Sequence, residues 1–261
     1  MKTVRLLISA LLFIPVLSTA QADQGPLDWE ENAEFGVEVA GKIDISAQVF
    51  RPTNYKPYLI LTSERLPAPV LIDLGKKRVY RLKGRDIESE GSFIKTRGIP
   101  HGKSVGSYSM KGGASTFRID GKRVSLTVRQ TLVGEIQPSL ILAHSPDYRI
   151  RKDAYKPDAA SMRFLKTYGT TTEVVVMFAT WCSTCKVVLP PVLRVFEDAN
   201  NPRFNVSYYG IAQGGDEPRQ ALARYGHDYP AVILIQNGKE LDRIVGEPPV
   251  PIEKRIVNIL R

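Results

Sequence analysis

The 261-residue chain holds only two cysteines and three histidines. That scarcity excludes a framework of structural disulfides, because Cys182 and Cys185 can pair only with each other. A zinc site would need two further ligands beside the pair. His101, His144 and His227 are the histidines on offer, and the first two belong to a different part of the chain. Long apolar runs are also missing. Residues 6–17 form a short apolar stretch, below the ~18 residues that cross a bilayer. Acidic residues are in deficit, with 27 Asp and Glu against 36 Lys and Arg, a formal net charge of +9. The basic residues are not interleaved with aromatics in the manner of single-strand binders, so no nucleic-acid partner is expected. A phosphate-binding loop is absent as well. Gly98-Ile99-Pro100-His101-Gly102-Lys103-Ser104 is one residue short of the four needed between the glycines, and no clear strand precedes it. It reads as a glycine-rich loop.

What is present divides the chain. Lys2 and Arg5 precede the apolar stretch, and Ala20-Gln21-Ala22 is a small-x-small cleavage site. Residues 1–22 are therefore expected to be a signal peptide, and the protein to be periplasmic or otherwise exported. No cysteine follows that stretch, so no lipid anchor is expected. Residues 23–34 are acidic and aperiodic and read as a flexible arm. Residues 35–144 carry β patterning: short strands are expected at 58–62, 70–74, 78–82, 115–119 and 124–128, with an Asp120-Gly121 hairpin signal between the last two. This is expected to be a small all-β domain, barrel or sandwich. The charge concentrates there, with 14 basic and 4 acidic residues in 76–129, against 11 and 10 from residue 166 onward. Lys76, Lys77, Arg78, Arg81, Lys83 and Arg85 crowd ten positions. Such an excess either discourages edge pairing or fits an acidic partner. Residues 145–158, with Pro146, Pro157 and many charges, read as a linker. Residues 159–261 follow as an α/β domain.

Residues 174–190 organise that last domain. Val174-Val175-Val176-Met177-Phe178 reads as a fully buried strand. The apolar residues then recur at helical spacing, through Val188, Leu189, Val192, Leu193, Val195 and Phe196. Cys182 thus falls at the first turn of a helix, where unpaired N–H groups and the helix dipole favour a thiolate. Cys185, one turn inside, is placed to resolve a mixed disulfide formed by Cys182. A redox-active pair is the leading expectation. A purely structural disulfide, a zinc site and a copper(I) site on the two thiolates are the alternatives.

Trp181-Cys182-Ser183-Thr184-Cys185, then Lys186 and Pro190, resemble the thioredoxin superfamily over roughly residues 155–261. Tyr229-Pro230 matches its cis-proline, Asn237-Gly238 its last hairpin and Gly246 the following loop. Ala179-Thr180-Trp181-Cys182 looks most like the extracytoplasmic branch that contains the cytochrome c maturation reductases. The resemblance implies a thioredoxin-like C-terminal domain behind the all-β one, and a thiol–disulfide oxidoreductase with Cys182 and Cys185 catalytic. It implies substrate contacts at Trp181, Tyr229 and Pro230, and redox tuning by Ser183 and Thr184. It implies no metal and no cofactor beyond the cysteine pair. Partners would be a protein disulfide or dithiol and a separate redox partner, membrane-bound or not. A binding scaffold built on the same fold is the reading from another class. One departure stands out. Where cytosolic thioredoxins carry a buried Asp six residues before the first cysteine, this chain has Val176, and residues 204–212 lack the lysine that accompanies it. Water, Asp228 or His227 would have to take that acid's place.

Overall fold

A computed structural model describes residues 25–90, 92–214 and 216–261. The expected signal peptide lies outside the described residues. The β-rich N-terminal region contains β1 (Pro26–Glu31), β2 (Phe35–Val39), β3 (Lys42–Ile43), β4 (Gln48–Pro52), β5 (Tyr58–Thr62), β6 (Val70–Asp73), β7 (Arg78–Arg81), β8 (Glu88–Glu90), β9 (Phe93–Arg97), β10 (Lys103–Ser107), β11 (Ser109–Lys111), β12 (Ala114–Ile119) and β13 (Lys122–Val128). One sheet has the order β10-β7-β6-β5-β4-β1-β9-β8, the other β11-β12-β13-β2-β3. Val49, Leu61 and Ile72 of the first meet Val39, Phe117, Ile119 and Val124 of the second in a shared core. The opposite face of the larger sheet buries Leu27, Trp29, Phe50, Ile60, Leu71 and Ile94 together. Burial on both faces is why β5 and β6 read as unbroken apolar runs rather than alternating ones. The β12–β13 hairpin closes through Asp120 and Gly121, both left-handed at φ 48° and 77°. Gly and Asp tolerate that region, and such turns match the twist of paired strands.

Residues 26–31, expected within a flexible arm, instead form β1, a strand between β4 and β9. Leu27, Trp29 and Glu31 alternate inward while Asp28 and Glu30 face out. Two apolar residues are too few to register as a period, and the third inward position is a carboxylate. Trp29 is fully buried, and its indole N–H donates to Thr96 Oγ1 at 2.8 Å.

The C-terminal domain starts before residue 159. β14 (Gly134–Glu135) is the edge strand of its sheet, and α1 (Pro138–His144) and α2 (Pro146–Ala154) follow. Residues 145–158 are therefore not a linker, because α2 packs along the domain's long helix and buries Tyr148 and Lys152. Pro146 sits at the start of α2, where a missing N–H costs nothing and the fixed φ suits a helix. The Lys152 ammonium is neutralised by Glu197 at 2.5 Å. Helix α3 (Ala159–Thr167) leads to the central strand β15 (Thr172–Phe178), then α4 (Ser183–Ala199), β16 (Phe204–Gly210), α5 (Arg219–Tyr225), β17 (Ala231–Gln236), β18 (Lys239–Val245) and α6 (Ile252–Leu260). The sheet runs β14-β16-β15-β17-β18, with β15 parallel to β16 and antiparallel to β17. A β-carbon on Gly210 would meet the Leu132 carbonyl oxygen at 2.3 Å, so glycine is what lets the 132–135 segment lie against β16. Asn237 and Gly238 turn β17 into β18, again with both φ positive. Among the described residues no helix is long and apolar enough to cross a membrane.

Candidate active site

β15 is buried along its length and delivers the chain to Thr180, Trp181 and Cys182 at the N-terminal end of α4. Cys182 is the N-cap: its backbone is extended, and its sulfur accepts the N–H of Cys185 at 3.3 Å. A sulfur in that position faces the orphan donors of the first turn. The Cys185 thiol donates to Cys182 and holds its pKa below the ordinary thiol value, and the backbone N–H groups of Cys185 and Thr184 and the Thr184 side chain add to this against the opposing effect of burial. Cys185 has the opposite environment. It is wholly buried, and desolvation pushes its pKa well up, reinforced by its thiol hydrogen bond to Cys182 and by that sulfur's charge. Backbone N–H groups oppose this: that of Ala179 lies 3.3 Å from Sγ, and that of Cys185 itself adds to it. The two thiols are thus split into one partly exposed, acidic group and one enclosed, weakly acidic group. Both cysteines are free thiols here.

The structure brings most of the other sequence-derived site residues to the same place. Trp181 packs edge-on to Tyr229, ring centres 5.1 Å apart, and its indole N–H donates to the Ile211 carbonyl. The Tyr229–Pro230 peptide is cis, and the Pro230 carbonyl accepts from the Gly246 N–H at 2.9 Å. Thr184 bears on Cys182, while the Ser183 hydroxyl turns away to donate to Ser92 Oγ of the β region at 2.8 Å. Val176 lies in the core of β15. Asp228, weighed as a proton-handling group, is held at the surface by Arg243 at 3.1 Å. Among the described residues no group of three or more His, Cys, Asp or Glu gathers as a metal site would require.

Several neighbours carried no local signal. The Ala33 N–H donates to the Trp181 carbonyl at 3.2 Å, so the β1–β2 turn lies against the active-site loop. Lys186, the residue after Cys185, is buried against Glu31 of β1 at 3.2 Å and donates to the Ala47 carbonyl at 3.0 Å. Arg129 pairs with the buried Asp147 of α2 at 2.8 Å, and Thr131 donates to Glu34. The β region therefore forms one wall of the site. Beside Trp181 the two parts leave a groove of about 630 Å³, bordered by Glu30, Arg51, Tyr55, Lys56 and Gln213. These residues lie well over a hundred positions from the cysteines, or some thirty positions beyond them, and nothing in their local pattern marks them.

A buried strand that ends in a helix-capping, acidic cysteine, with a second thiol enclosed one turn later, defines a thioredoxin-like thiol–disulfide oxidoreductase. No family model matches the chain. Over 84 residues it is 33% identical to thioredoxin-1 of Schizosaccharomyces pombe, an overlap covering 32% of this chain and 76% of that protein. Over 85 residues it is 29% identical to thioredoxin-2 of Saccharomyces cerevisiae, covering 33% of this chain and 77% of the relative. Through this part of its length the chain belongs to the thioredoxin superfamily. Among solved structures, the oxidised mitochondrial thioredoxin 3 of Saccharomyces cerevisiae aligns with 37% of this chain and 85% of its own, at 22% identity and a TM-score of 0.27. A Pseudomonas aeruginosa protein of unknown function aligns with 49% and 90%, at 17% identity and a TM-score of 0.37.

Proposed function

We propose that the protein is an exported thiol–disulfide oxidoreductase that exchanges a Cys182–Cys185 disulfide with protein substrates through a mixed disulfide. The observation that carries this is the division of labour between the thiols: Cys182 acidic and partly exposed at the helix cap, Cys185 enclosed behind it. In the reducing direction the Cys182 thiolate attacks a substrate disulfide, forming one S–S bond, breaking the substrate's and releasing one substrate thiolate. Cys185 then attacks Cys182 Sγ, the second substrate thiol leaves, and its proton comes from Cys185. The substrate gains two electrons and the cysteine pair loses them. The oxidising direction runs the same steps backwards. The reaction needs no cofactor beyond the cysteine pair, and a separate redox partner resets it.

Export rests on the composition of residues 1–22. The groove beside Trp181 is the proposed seat for the segment carrying the substrate's cysteine, with Trp181 and Gln213 on its redox-domain side and with Tyr229, packed on Trp181, and Pro230 proposed to meet that segment where it leaves the groove. The β region is proposed to choose the partner, and Lys76, Lys77 and Arg78, exposed at the β6–β7 turn, suit an acidic one. Arg81 is less available because it pairs with Asp120.

The test is a trap. Cys185→Ser should accumulate a mixed disulfide on Cys182 in the exported fraction, while Cys182→Ser should form none and should not turn over a disulfide substrate. A Cys182→Ser protein as active as the wild type would refute the reading in favour of a scaffold.

A further inference from the structure

Two hollows in the β region, of about 470 and 430 Å³, share a wall at Val105 and Arg118 and so run together as one cleft. Its sides are β7 and β10 of the larger sheet and β12 and β13 of the smaller one. Arg81, Lys103, Arg118 and Arg123 line it, and among the described residues Asp120 is the one carboxylate there. The strand register sets these cations against each other. Arg81 stands directly opposite Lys103, and Arg118 directly opposite Arg123. Like charges in that position destabilise a sheet. Folding alone is opposed by this arrangement, whereas an anion lodged between the cations reverses the effect.

The chain itself shows what the cleft takes. Asp120, at the tip of the β12–β13 hairpin, places a carboxylate on the Arg81 guanidinium. Arg118 is tethered to the same turn, donating to the Gly121 carbonyl at 3.1 Å. Lys103, Arg118 and Arg123 are exposed, and among the described residues no carboxylate pairs with them. The walls are not purely ionic. The register of β10 slips between Ser104 and Gly106, which leaves Val105 as a bulge facing both hollows. Phe117, Ser109 and Thr116 add apolar and hydroxyl groups. β11 ends the smaller sheet, so one row of its main-chain N–H and C=O groups is unpaired beside Ser109. A recess that mixes cations with apolar, hydroxyl and main-chain groups fits an extended polypeptide. A bilayer surface is flat, and a sulfated or phosphorylated polymer would use the cations alone.

We propose that this cleft is the seat of an acidic stretch of a partner protein: Lys103, Arg118 and Arg123 pair with its Asp and Glu side chains, while Arg81 keeps Asp120. This narrows the acidic-partner reading of the β region to one place and rests on that reading, but it does not depend on the redox chemistry. The partner's carboxylates relieve the repulsion between facing cations. Binding and the stability of the unbound protein are therefore set against each other: neutralising the facing arginines weakens the complex and does not weaken the fold. The cations stay in contact with water, so the contact is salt-sensitive.

The experiment uses the full-length protein and a fluorescein-labelled octaglutamate peptide, with anisotropy read at low and at physiological salt. Arg118→Gln with Arg123→Gln should weaken binding about tenfold, the combined worth of two exposed ion pairs. Arg163→Gln with Lys166→Gln, an equal loss of exposed charge on α3 of the other domain, should change it less than about twofold, because salt screens distant charges. The melting temperature of the cleft variant should hold or rise by up to about 3 °C as the facing charges are removed. Equal weakening by the two double variants would overturn the proposal, since net charge alone would then explain binding. A cleft variant that melts several degrees lower would make the arginines structural and overturn it too. Binding of dextran sulfate or of phosphatidylglycerol vesicles, with none of octaglutamate, would overturn it in favour of a polymer or a lipid surface. Binding that survives the cleft variant but is lost in Lys77→Glu with Arg78→Glu would put the acidic partner at the β6–β7 turn and overturn the cleft alone. A wild-type protein that binds none of these probes would refute the acidic-partner reading along with it.

Discussion

Replacing Lys186 by Met should cost this protein far more than an ordinary lysine would. Lys186 sits directly after Cys185 on α4, yet its side chain is 9% exposed and its partner Glu31 is 5% exposed. Water screens the pair little. Lys186→Met leaves Glu31 Oε1 and the Ala47 carbonyl without their donor, and only Gln48, at 2.8 Å, still supports the carboxylate. Removing one partner of a buried pair costs about 3–5 kcal/mol, because the other charge stays buried and uncompensated. For a chain of this size that is roughly a 6–20 °C fall in melting temperature. Glu31→Leu should cost a similar amount for the mirror reason. The double variant should recover most of the loss, because an apolar pair of similar volume carries no desolvation penalty. The chain has two tryptophans, Trp29 in β1 and Trp181 beside Cys182, so fluorescence reports on both sides of the contact during urea unfolding. Loss of less than about 1 kcal/mol in Lys186→Met, typical of a surface pair, would refute the argument. A double variant as damaged as the sum of the singles would do so too.

Alkylation by iodoacetamide should fall on Cys182, with a rate that rises through a midpoint below the ordinary thiol range of about 8.5. Cys185→Ala should move that midpoint up, because the Cys185 thiol is the largest lowering influence; equal labelling of both cysteines in the wild type would contradict the assignment. Charge reversal at the exposed turn, Lys77→Glu with Arg78→Glu, should leave stability within about 0.5 kcal/mol. It should slow exchange with a trapped acidic partner at low salt and matter less at high salt, since the Debye length is only ~8 Å at physiological ionic strength. Identical rates at both salts would make the basic turn a merely solvated surface.

The sequence by itself determined what depends on neighbours along the chain. Five apolar residues in succession specify β15, the 3.6-residue recurrence from Val188 to Phe196 specifies α4, and their junction places Cys182 on a helix cap. Asp120-Gly121 and Asn237-Gly238 specify their hairpins because few residues tolerate two successive positive φ angles. The tertiary structure decided the rest. β1 is half acidic, and its inward Glu31 becomes tolerable only when Lys186, 155 positions away, is folded against it. Helix α2 reads as a charged linker until Asp147 meets Arg129 and Lys152 meets Glu197. Tyr148 is an ordinary tyrosine until α2 lies on α4 and encloses its hydroxyl in the core that holds Cys185. In each case a polar side chain was buried. Burial of charge is stable only with a partner, and here the partner is supplied by a part of the chain that local periodicity does not reach.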